Sequence, residues 1–324
     1  MTLDELIHWL RTDFGIVAGE VTPIGHGADA AATVWLVRAG GARYAVKWTT
    51  GGTTAGLRLA SLGLDGVPAP VRTRDGALWS ERGGRRLSVQ PWVSDVRAVD
   101  AGMSPQQWTA YGALLARVHA VPPAGPVARD LPVEDHRPDQ VLTTTATLTA
   151  RLAAVDAVDP ADDLGAGLAA AWRDGAELLG ALTARAAVLG ARLRDRPARR
   201  VVCHTDAHLG NVLLGDDAVW LIDWDDAALA PPERDLMFVV GGLPGYAPVG
   251  ERELGWFAAG YGDVGADPDR LAYYRAVRAL VDLTEFGEQL LDGAGDRADR
   301  EFALRVVRAE LAGAGLAALA VVKA

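Results

Sequence analysis

A polar loop between apolar segments carries the side chains best suited to chemistry, within residues 201–226. His204, Asp206 and Asn211 follow the spacing H-x-D-x-x-x-x-N, and Asp223 comes twelve residues after Asn211. The flanking apolar runs predict short strands, so these side chains are expected at the ends of adjacent strands. Asp206 could orient or deprotonate a hydroxyl, whereas Asn211 and Asp223 offer the hard oxygen ligands that Mg²⁺ prefers. The alternative is a polar hairpin whose side chains only satisfy turn backbone.

The combination of Asp206, Asn211 and Asp223 suits the transfer of a γ-phosphoryl group. The protein must position the acceptor hydroxyl and neutralise charge around the phosphates, with little covalent chemistry of its own. The segments HTDAHLGN and LIDWDD resemble the catalytic loop and the metal-binding segment of the aminoglycoside phosphotransferase family, relatives of the protein kinases. The following ALAPPERDLMF is most similar to the spectinomycin-type branch. The resemblance implies that Asp206 is catalytic and that Asn211 and Asp223 bind Mg²⁺.

The same resemblance implies an α+β, two-lobe protein-kinase-like fold. Residues 1–93 would form a small nucleotide-binding lobe built on an antiparallel sheet. Residues 94–324 would form a larger, mainly helical lobe for catalysis and acceptor binding. Within it, the Ala-, Leu- and Arg-rich stretch at about 138–195 has helical periodicity and is expected to be a helical insert.

Phosphate contacts are expected in residues 1–93. A strand at 17–24 leads into Gly25 and Gly27, and glycines allow backbone amides to approach phosphates closely, although two glycines are also ordinary in a hairpin. Lys47 lies near the end of the strand-like segment ARYAVKW and resembles the kinase lysine that pairs with the α- and β-phosphates. All but two of the 32 basic residues are Arg, so an interior Lys indicates that a compact ammonium group is needed there.

The helix expected at residues 53–64 departs from the kinase pattern. In kinases a glutamate on this helix pairs with the lysine, yet no acidic residue lies between Lys47 and Asp65. A carboxylate from elsewhere, such as Asp29 or Asp65, could replace the glutamate. Alternatively, the phosphates alone could hold Lys47.

Adenine would be contacted by the backbone of the segment RLSVQPWV, which takes the place of the interlobe hinge. The candidate residues are Gln90, Trp92 and Val93. Pro91 lacks an amide hydrogen and so limits which groups can donate. A plain edge strand would have the same sequence pattern.

Negative charge is concentrated after residue 93. The chain has a net charge of −10, and residues 1–93 hold ten Lys or Arg against eight Asp or Glu, which leaves −12 for residues 94–324. This distribution suits a cationic small molecule and disfavours nucleic acid, although an ordinary solubilising surface would also be acidic. Candidate acceptor contacts, each of which could instead be a structural or solvated group, are His208, Asp225, Asp226, Tyr274, Asp282 and Glu285. Asp225 and Asp226 could face the metal ion instead of the acceptor.

Composition excludes several other classes of site. The single Cys203 rules out an internal disulfide and a cysteine-based metal cluster. No apolar run approaches the roughly 18 residues that span a bilayer, and the amphipathic N-terminal segment is unlike a signal peptide. We therefore expect a cytoplasmic protein without a membrane partner, as a monomer or homodimer.

These observations predict an O-phosphotransferase. It would use ATP or GTP and Mg²⁺ to modify a hydroxyl of an aminoglycoside, an aminocyclitol or another natural-product antibiotic. A metabolic kinase for choline, a sugar or homoserine would use the same loop. A nucleotide-binding pseudokinase would explain the absent helix glutamate, but it should also have lost Asp206, Asn211 or Asp223, and all three are present.

Overall fold

A computed structural model describes residues 1–24, 32–154, 163–293 and 295–321. Contacts divide the chain into two compact units. Unit 1 comprises residues 1–132, 201–229 and 255–262, and unit 2 comprises residues 133–200, 230–254 and 263–324. The polar loop therefore groups with the N-terminal part of the chain, and the boundary expected between residues 93 and 94 stays a prediction.

An antiparallel sheet together with a separate body of helices confirms the predicted α+β class. The strands are β1 (Glu20–Pro23), β2 (Ala32–Ala39), β3 (Ala42–Thr49), β4 (Ser80–Arg82), β5 (Arg85–Pro91), β6 (Val201–Cys203), β7 (Val212–Leu214), β8 (Val219–Leu221), β9 (Ala228–Ala230), β10 (Gly242–Leu243) and β11 (Ala247–Pro248). The helices are α1 (Leu3–Trp9), α2 (Ala55–Ser61), α3 (Ala98–Ala101), α4 (Pro105–His119), α5 (Asp139–Ala153), α6 (Asp163–Asp174), α7 (Ala176–Arg194), α8 (Glu233–Leu236), α9 (Glu251–Tyr261), α10 (Pro268–Leu291), α11 (Arg297–Leu311) and α12 (Leu316–Val321).

Unit 1 contains a five-stranded antiparallel sheet in the order β1-β2-β3-β5-β4. Its core packs Leu6 and Leu10, from α1 and the π-helical turn after it, against Val37 and Val46 of the sheet. Successive side chains of a strand point to opposite faces, so the burial of Val46 in this core places Lys47 on the other face of β3. The hydrophobic pattern of β3 thus sets the direction of its lysine.

Unit 2 is mainly helical. The long helix α10 packs against α5, α7, α11 and α12. Helices α5, α6 and α7 occupy the stretch for which the sequence predicted a helical insert, apart from residues 155–162, which lie outside the described part. No helix among the described residues is long and apolar enough to cross a membrane.

Helix α4 and the C-terminal part of α9 approach each other closely at Gly260. A Cβ atom there would overlap the Thr109 carbonyl oxygen and lie 2.8 Å from the Ala113 amide nitrogen. The contact holds α4 in place, and α4 carries the buried Tyr111, whose hydroxyl donates to the Ala207 carbonyl in the polar loop. Close helix packing in unit 1 therefore supports the loop.

We predict that Gly260→Ala lowers the thermal unfolding midpoint, because a methyl group forced between two backbones destabilises by about 1–3 kcal/mol. Gly255→Ala on the same helix is the matched control, since nothing lies within 4 Å of a Cβ there. Ala exceeds Gly in helix propensity by about 1 kcal/mol, so the control should unfold at or above the wild-type temperature. Circular dichroism melts test this, and equal midpoints for both variants would contradict the packing argument.

Candidate active site

Buried His204 connects the polar loop to the segment that follows β8. Its Nδ1 accepts the Asp206 amide hydrogen at 3.2 Å, and its Nε2 donates to the Ile222 carbonyl at 2.8 Å. The ring makes an edge-to-face contact with Trp224, with 4.5 Å between ring centroids. Both nitrogens hold backbone, so His204 orders the site and is not placed for proton transfer.

The carboxylate of Asp206 is held by two neighbours in the loop. Asn211 donates its amide Nδ2 hydrogens to the carbonyl oxygen and to Oδ2 of Asp206, each at 2.9 Å. His208 accepts the Gly210 amide hydrogen at Nδ1, which assigns its proton to Nε2, and this atom lies 3.4 Å from Asp206 Oδ2. A fixed carboxylate in a loop is the arrangement that a general base requires.

Asn211 and Asp223 lie at the same end of the hairpin formed by β7 and β8. Asn211 directly precedes β7, and its carbonyl accepts the amide hydrogen of Ile222, next to Asp223, at 3.0 Å. The Asn211 side-chain nitrogen donates to Asp206, so a cation would be bound through the side-chain oxygen. The Asp223 side chain is 47% exposed. An amide oxygen and an accessible carboxylate fit the ligand preference of Mg²⁺.

Two residues of the site adopt left-handed backbone conformations. Thr205 has φ of 73° and Asp223 has φ of 66°. Such values are uncommon for residues other than glycine and are unfavourable for β-branched Thr. The Thr205 hydroxyl donates to the Asp226 carbonyl at 2.9 Å, which helps to hold the strained turn. Backbone strain of this kind concentrates at functional sites.

Lys47 is paired with two carboxylates. Its Nζ lies 2.7 Å from Oδ1 of Asp223 and 3.0 Å from Oδ2 of Asp225. Burial alone would lower the pKa of Lys47, but the two carboxylates outweigh it and place the pKa above the ordinary value. Burial raises the pKa of Asp225 above its ordinary value, and Lys47 opposes this. The lysine is charged at neutral pH and is fixed without any phosphate.

The partners of Lys47 correct one expectation. Helix α2 has no acidic residue, as the sequence indicated, but the carboxylates come from Asp223 and Asp225 and not from Asp65, which is exposed. Asp29, the other residue suggested, lies outside the described residues. Pairing by the phosphates alone is therefore not needed to hold Lys47.

A family comparison identifies the chain. The model of the phosphotransferase enzyme family (APH) matches residues 20–280. The chain belongs to this family. No curated protein matches the sequence of this phosphotransferase. The predicted resemblance and the predicted enzyme class, a phosphotransferase, are confirmed.

Solved structures of several antibiotic kinases share the fold of this phosphotransferase. Spectinomycin phosphotransferase APH(9)-Ia, in complex with ADP and spectinomycin, has 24% identity and a TM-score of 0.84 over 99% of this chain and 98% of that one. Amicoumacin kinase hAmiN, with AMP-PNP, Ca²⁺ and Ami, has 15% identity and a TM-score of 0.63 over 98% and 95%. The GDP and kanamycin complex of APH(2")-IIia has 18% identity and a TM-score of 0.60 over 96% and 99%. These likenesses confirm the kinase-like two-lobe fold class.

The structure describes only some of the residues that were predicted to contact the nucleotide. Gly25 and Gly27 lie outside the described residues. The Gln90 side chain donates to the Pro68 carbonyl at 2.9 Å, and the Trp92 amide donates to the Arg43 carbonyl at 2.9 Å. Their roles stay predictions, but the Trp92 amide is already engaged by the neighbouring strand.

Candidate acceptor contacts on α10 differ in accessibility. Tyr274 is fully buried, with its hydroxyl 3.3 Å from Nε2 of His136. Asp282 lies 2.8 Å from the Arg278 guanidinium, and Glu285 is exposed. Acceptor contacts by these residues stay predictions, and Glu285 is the most accessible of them. In unit 1, His208 stands next to Asp206, Asp225 next to Lys47, and Asp226 is exposed.

Sequence reasoning missed Arg86 and Thr53. The Arg86 guanidinium lies 3.5 Å from Oδ1 of Asp225, and the Thr53 amide donates to the Asp225 carbonyl at 2.7 Å. Neither residue belongs to a motif, and both are far from Asp225 in the sequence. Arginine is so common in this chain that composition offered no signal for Arg86 either.

We predict that Lys47→Arg lowers kcat/KM by about 10-fold or more although it keeps the charge. The planar guanidinium is larger than the ammonium group, which sits between two carboxylate oxygens at 2.7 and 3.0 Å. Steady-state kinetics check this prediction. Arg38→Lys, in an exposed ion pair with Glu20, is the control and should be neutral. Wild-type kinetics for Lys47→Arg would remove the argument for a compact ammonium.

Proposed function

We propose that the protein transfers the γ-phosphoryl group of ATP or GTP to a hydroxyl of a small-molecule antibiotic. The observation that carries the proposal is the 2.7 Å contact between Lys47 and Asp223. It joins a strand lysine suited to phosphates to a carboxylate suited to a metal ion, next to the loop that holds Asp206. Unit 1 therefore contains a group suited to each participant: Asp206 for the hydroxyl, Lys47 for the nucleotide phosphates and Asp223 for the cation.

Asp206 acts on the acceptor. Its carboxylate accepts the proton of the acceptor hydroxyl while the hydroxyl oxygen bonds to the γ-phosphorus and the bond to the bridging oxygen breaks, which releases the nucleoside diphosphate. Asn211 and His208 keep the carboxylate in one orientation. Lys47 places positive charge against the phosphate oxygens. Mg²⁺, held by Asn211 and Asp223, would supply further neutralisation of phosphate charge.

Adenine or guanine would be contacted at the end of β5. The Trp92 amide points toward β3, since it donates to Arg43 there. Successive amides of an extended chain point to opposite sides, so the Val93 amide would face away from β3 and could donate to the base. Pro91 offers its carbonyl on the same side as the Val93 amide.

An antibiotic acceptor is favoured by two considerations. Solved structures with this fold include kinases in complex with spectinomycin and with kanamycin, and an amicoumacin kinase. Residues 94–324 also carry a net charge of −12, which suits an amine-bearing acceptor. A metabolic kinase for choline, a sugar or homoserine stays the alternative. A pseudokinase is disfavoured, because Lys47 has carboxylate partners despite the missing helix glutamate.

The decisive experiment measures Mg²⁺-dependent consumption of ATP and GTP by the purified protein. The acceptor panel contains aminoglycosides, aminocyclitols, other antibiotics, choline, sugars and homoserine, and Asp206→Ala serves as the blank. Turnover with an antibiotic and none with the metabolites is the expected result. Turnover with a metabolite alone would show that the acceptor is a metabolite and not an antibiotic. Nucleotide binding with no turnover on any acceptor would favour the pseudokinase.

A further inference from the structure

Lys47 contacts two carboxylates that differ in their exposure and in their proposed roles. Asp223 is 47% exposed and is also the residue proposed to bind Mg²⁺, so the cation and Lys47 compete for its charge. Asp225 is 21% exposed, and its Oδ2 lies 3.0 Å from Nζ of Lys47. If a metal ion bound Asp223, Asp225 would remain as the carboxylate partner of the lysine.

Asp225 is held from several sides. Its carbonyl accepts the Thr53 amide hydrogen at 2.7 Å, and the Thr53 hydroxyl donates to the carbonyl of neighbouring Trp224 at 3.1 Å. Arg86 lies 3.5 Å from its other carboxylate oxygen and also donates to the Gly51 carbonyl at 3.0 Å. These contacts leave the carboxylate little freedom to move away from Lys47.

The segment before α2 is built to fit against Asp225. Gly52 has φ of 74°, and a Cβ atom there would lie 2.6 Å from Cγ and 2.8 Å from Cα of Asp225. A side chain at position 52 is therefore excluded both by backbone conformation and by Asp225 itself. Helix α2 follows within three residues and contributes no acidic group of its own.

We propose that Asp225 is the positioning residue of Lys47 and takes the part of the absent helix glutamate. The proposal deepens the proposed function and rests on it. Asp225 then acts through the lysine and contacts neither the acceptor nor the metal ion. The lysine stays directed at the phosphates throughout the cycle, because its second carboxylate is not shared with the cation.

A double-mutant cycle on Mg·ADP affinity tests the proposal without knowledge of the acceptor. Calorimetry would compare wild type, Lys47→Ala, Asp225→Asn and the double variant. We expect each single change to weaken ADP binding by about 5–20-fold, and Asp225→Asn to add less than about 2-fold once Lys47 is gone. A further loss equal to that of the single variant would overturn the proposal, since Asp225 would then act independently of Lys47.

Other roles for Asp225 give different results. If Asp225 were a metal ligand, Asp225→Asn would raise the Mg²⁺ concentration needed for ADP binding even in the Lys47→Ala background. If it contacted the acceptor, Asp225→Asn would leave Mg·ADP affinity unchanged. Either outcome overturns the proposal. Failure of the wild type to bind Mg·ADP would overturn the proposed function together with this inference, whereas additivity with intact wild-type binding would overturn this inference alone.

Two glycine substitutions, Gly52→Ala and its control Gly63→Ala, test the proposal if Asp225→Asn does not fold. Gly52→Ala should displace Asp225 and weaken Mg·ADP binding by about 5-fold or more in the presence of Lys47, but not in the Lys47→Ala background. Gly63→Ala is the matched control, because its φ of 76° imposes the same backbone strain and nothing lies within 4 Å of a Cβ there. Equal affinities of the two alanine variants would count against the proposal.

Discussion

Asp206→Asn will reduce phosphoryl transfer by about 10²–10⁴-fold, the range that a positioned general base contributes. The change keeps the shape of the side chain but removes the charge that accepts the hydroxyl proton. Asn211 and His208 both direct N–H groups at Oδ2 of this carboxylate, and the oxygen of an amide could occupy the same position. The affinity for Mg·ADP should change little, since Asp206 is assigned to the acceptor. Measured kcat and a parallel ADP titration separate the two effects.

Asp217→Asn is the control for this prediction. Asp217 is an exposed carboxylate in the turn between β7 and β8, on the hairpin that carries the site, and it should leave kcat unchanged. Turnover of Asp206→Asn within about threefold of wild type would remove Asp206 from the mechanism, because a general base contributes at least about 10²-fold.

Asp223→Asn will lower kcat/KM by about 10²-fold or more and raise the Mg²⁺ concentration required for half-maximal rate. Two functions are lost together, the charged oxygen ligand of the cation and the 2.7 Å partner of Lys47. Asn is the informative substitution because it tolerates left-handed backbone, and φ of Asp223 is 66°. The change therefore removes charge without adding strain. Rate measurements over a Mg²⁺ series test it.

The outcome for Asp223 also has a structural check. Thermal melts of Asp223→Asn should stay close to wild type, since the residue is half exposed. An unchanged Mg²⁺ requirement combined with a stable fold would show that the cation binds elsewhere, and Asn211 would then lose its assignment as well.

Much of the site could be predicted because its residues are close in the chain. Asp206 and Asn211 are five residues apart in one loop, and the hairpin of β7 and β8 returns the chain to Asp223. Short loops and a tight hairpin leave few geometries, so residue type and spacing carry the information. The strand of Lys47 followed from its alternating pattern for the same reason. The family resemblance rested on these local motifs and implied the α+β class, and both are confirmed.

Local sequence patterns could not predict the contacts between segments that are distant in the chain. Lys47 and Asp223 are 176 residues apart, and the carboxylate from Asp225 was not foreseen. The burial of Tyr274 and the pairing of Asp282 with Arg278 were equally undecided, because an amphipathic helix pattern does not say which polar side chains find partners.

The sequence by itself determined the chemical groups, their order along the loop and the strand that carries the lysine. Only the tertiary structure decided which carboxylates hold Lys47. The physical reason is that local spacing is set by covalent geometry and hydrogen bonds between near neighbours. A partner for a buried charge depends instead on the path of the whole chain, which brings β3, the segment before α2 and the segment after β8 together.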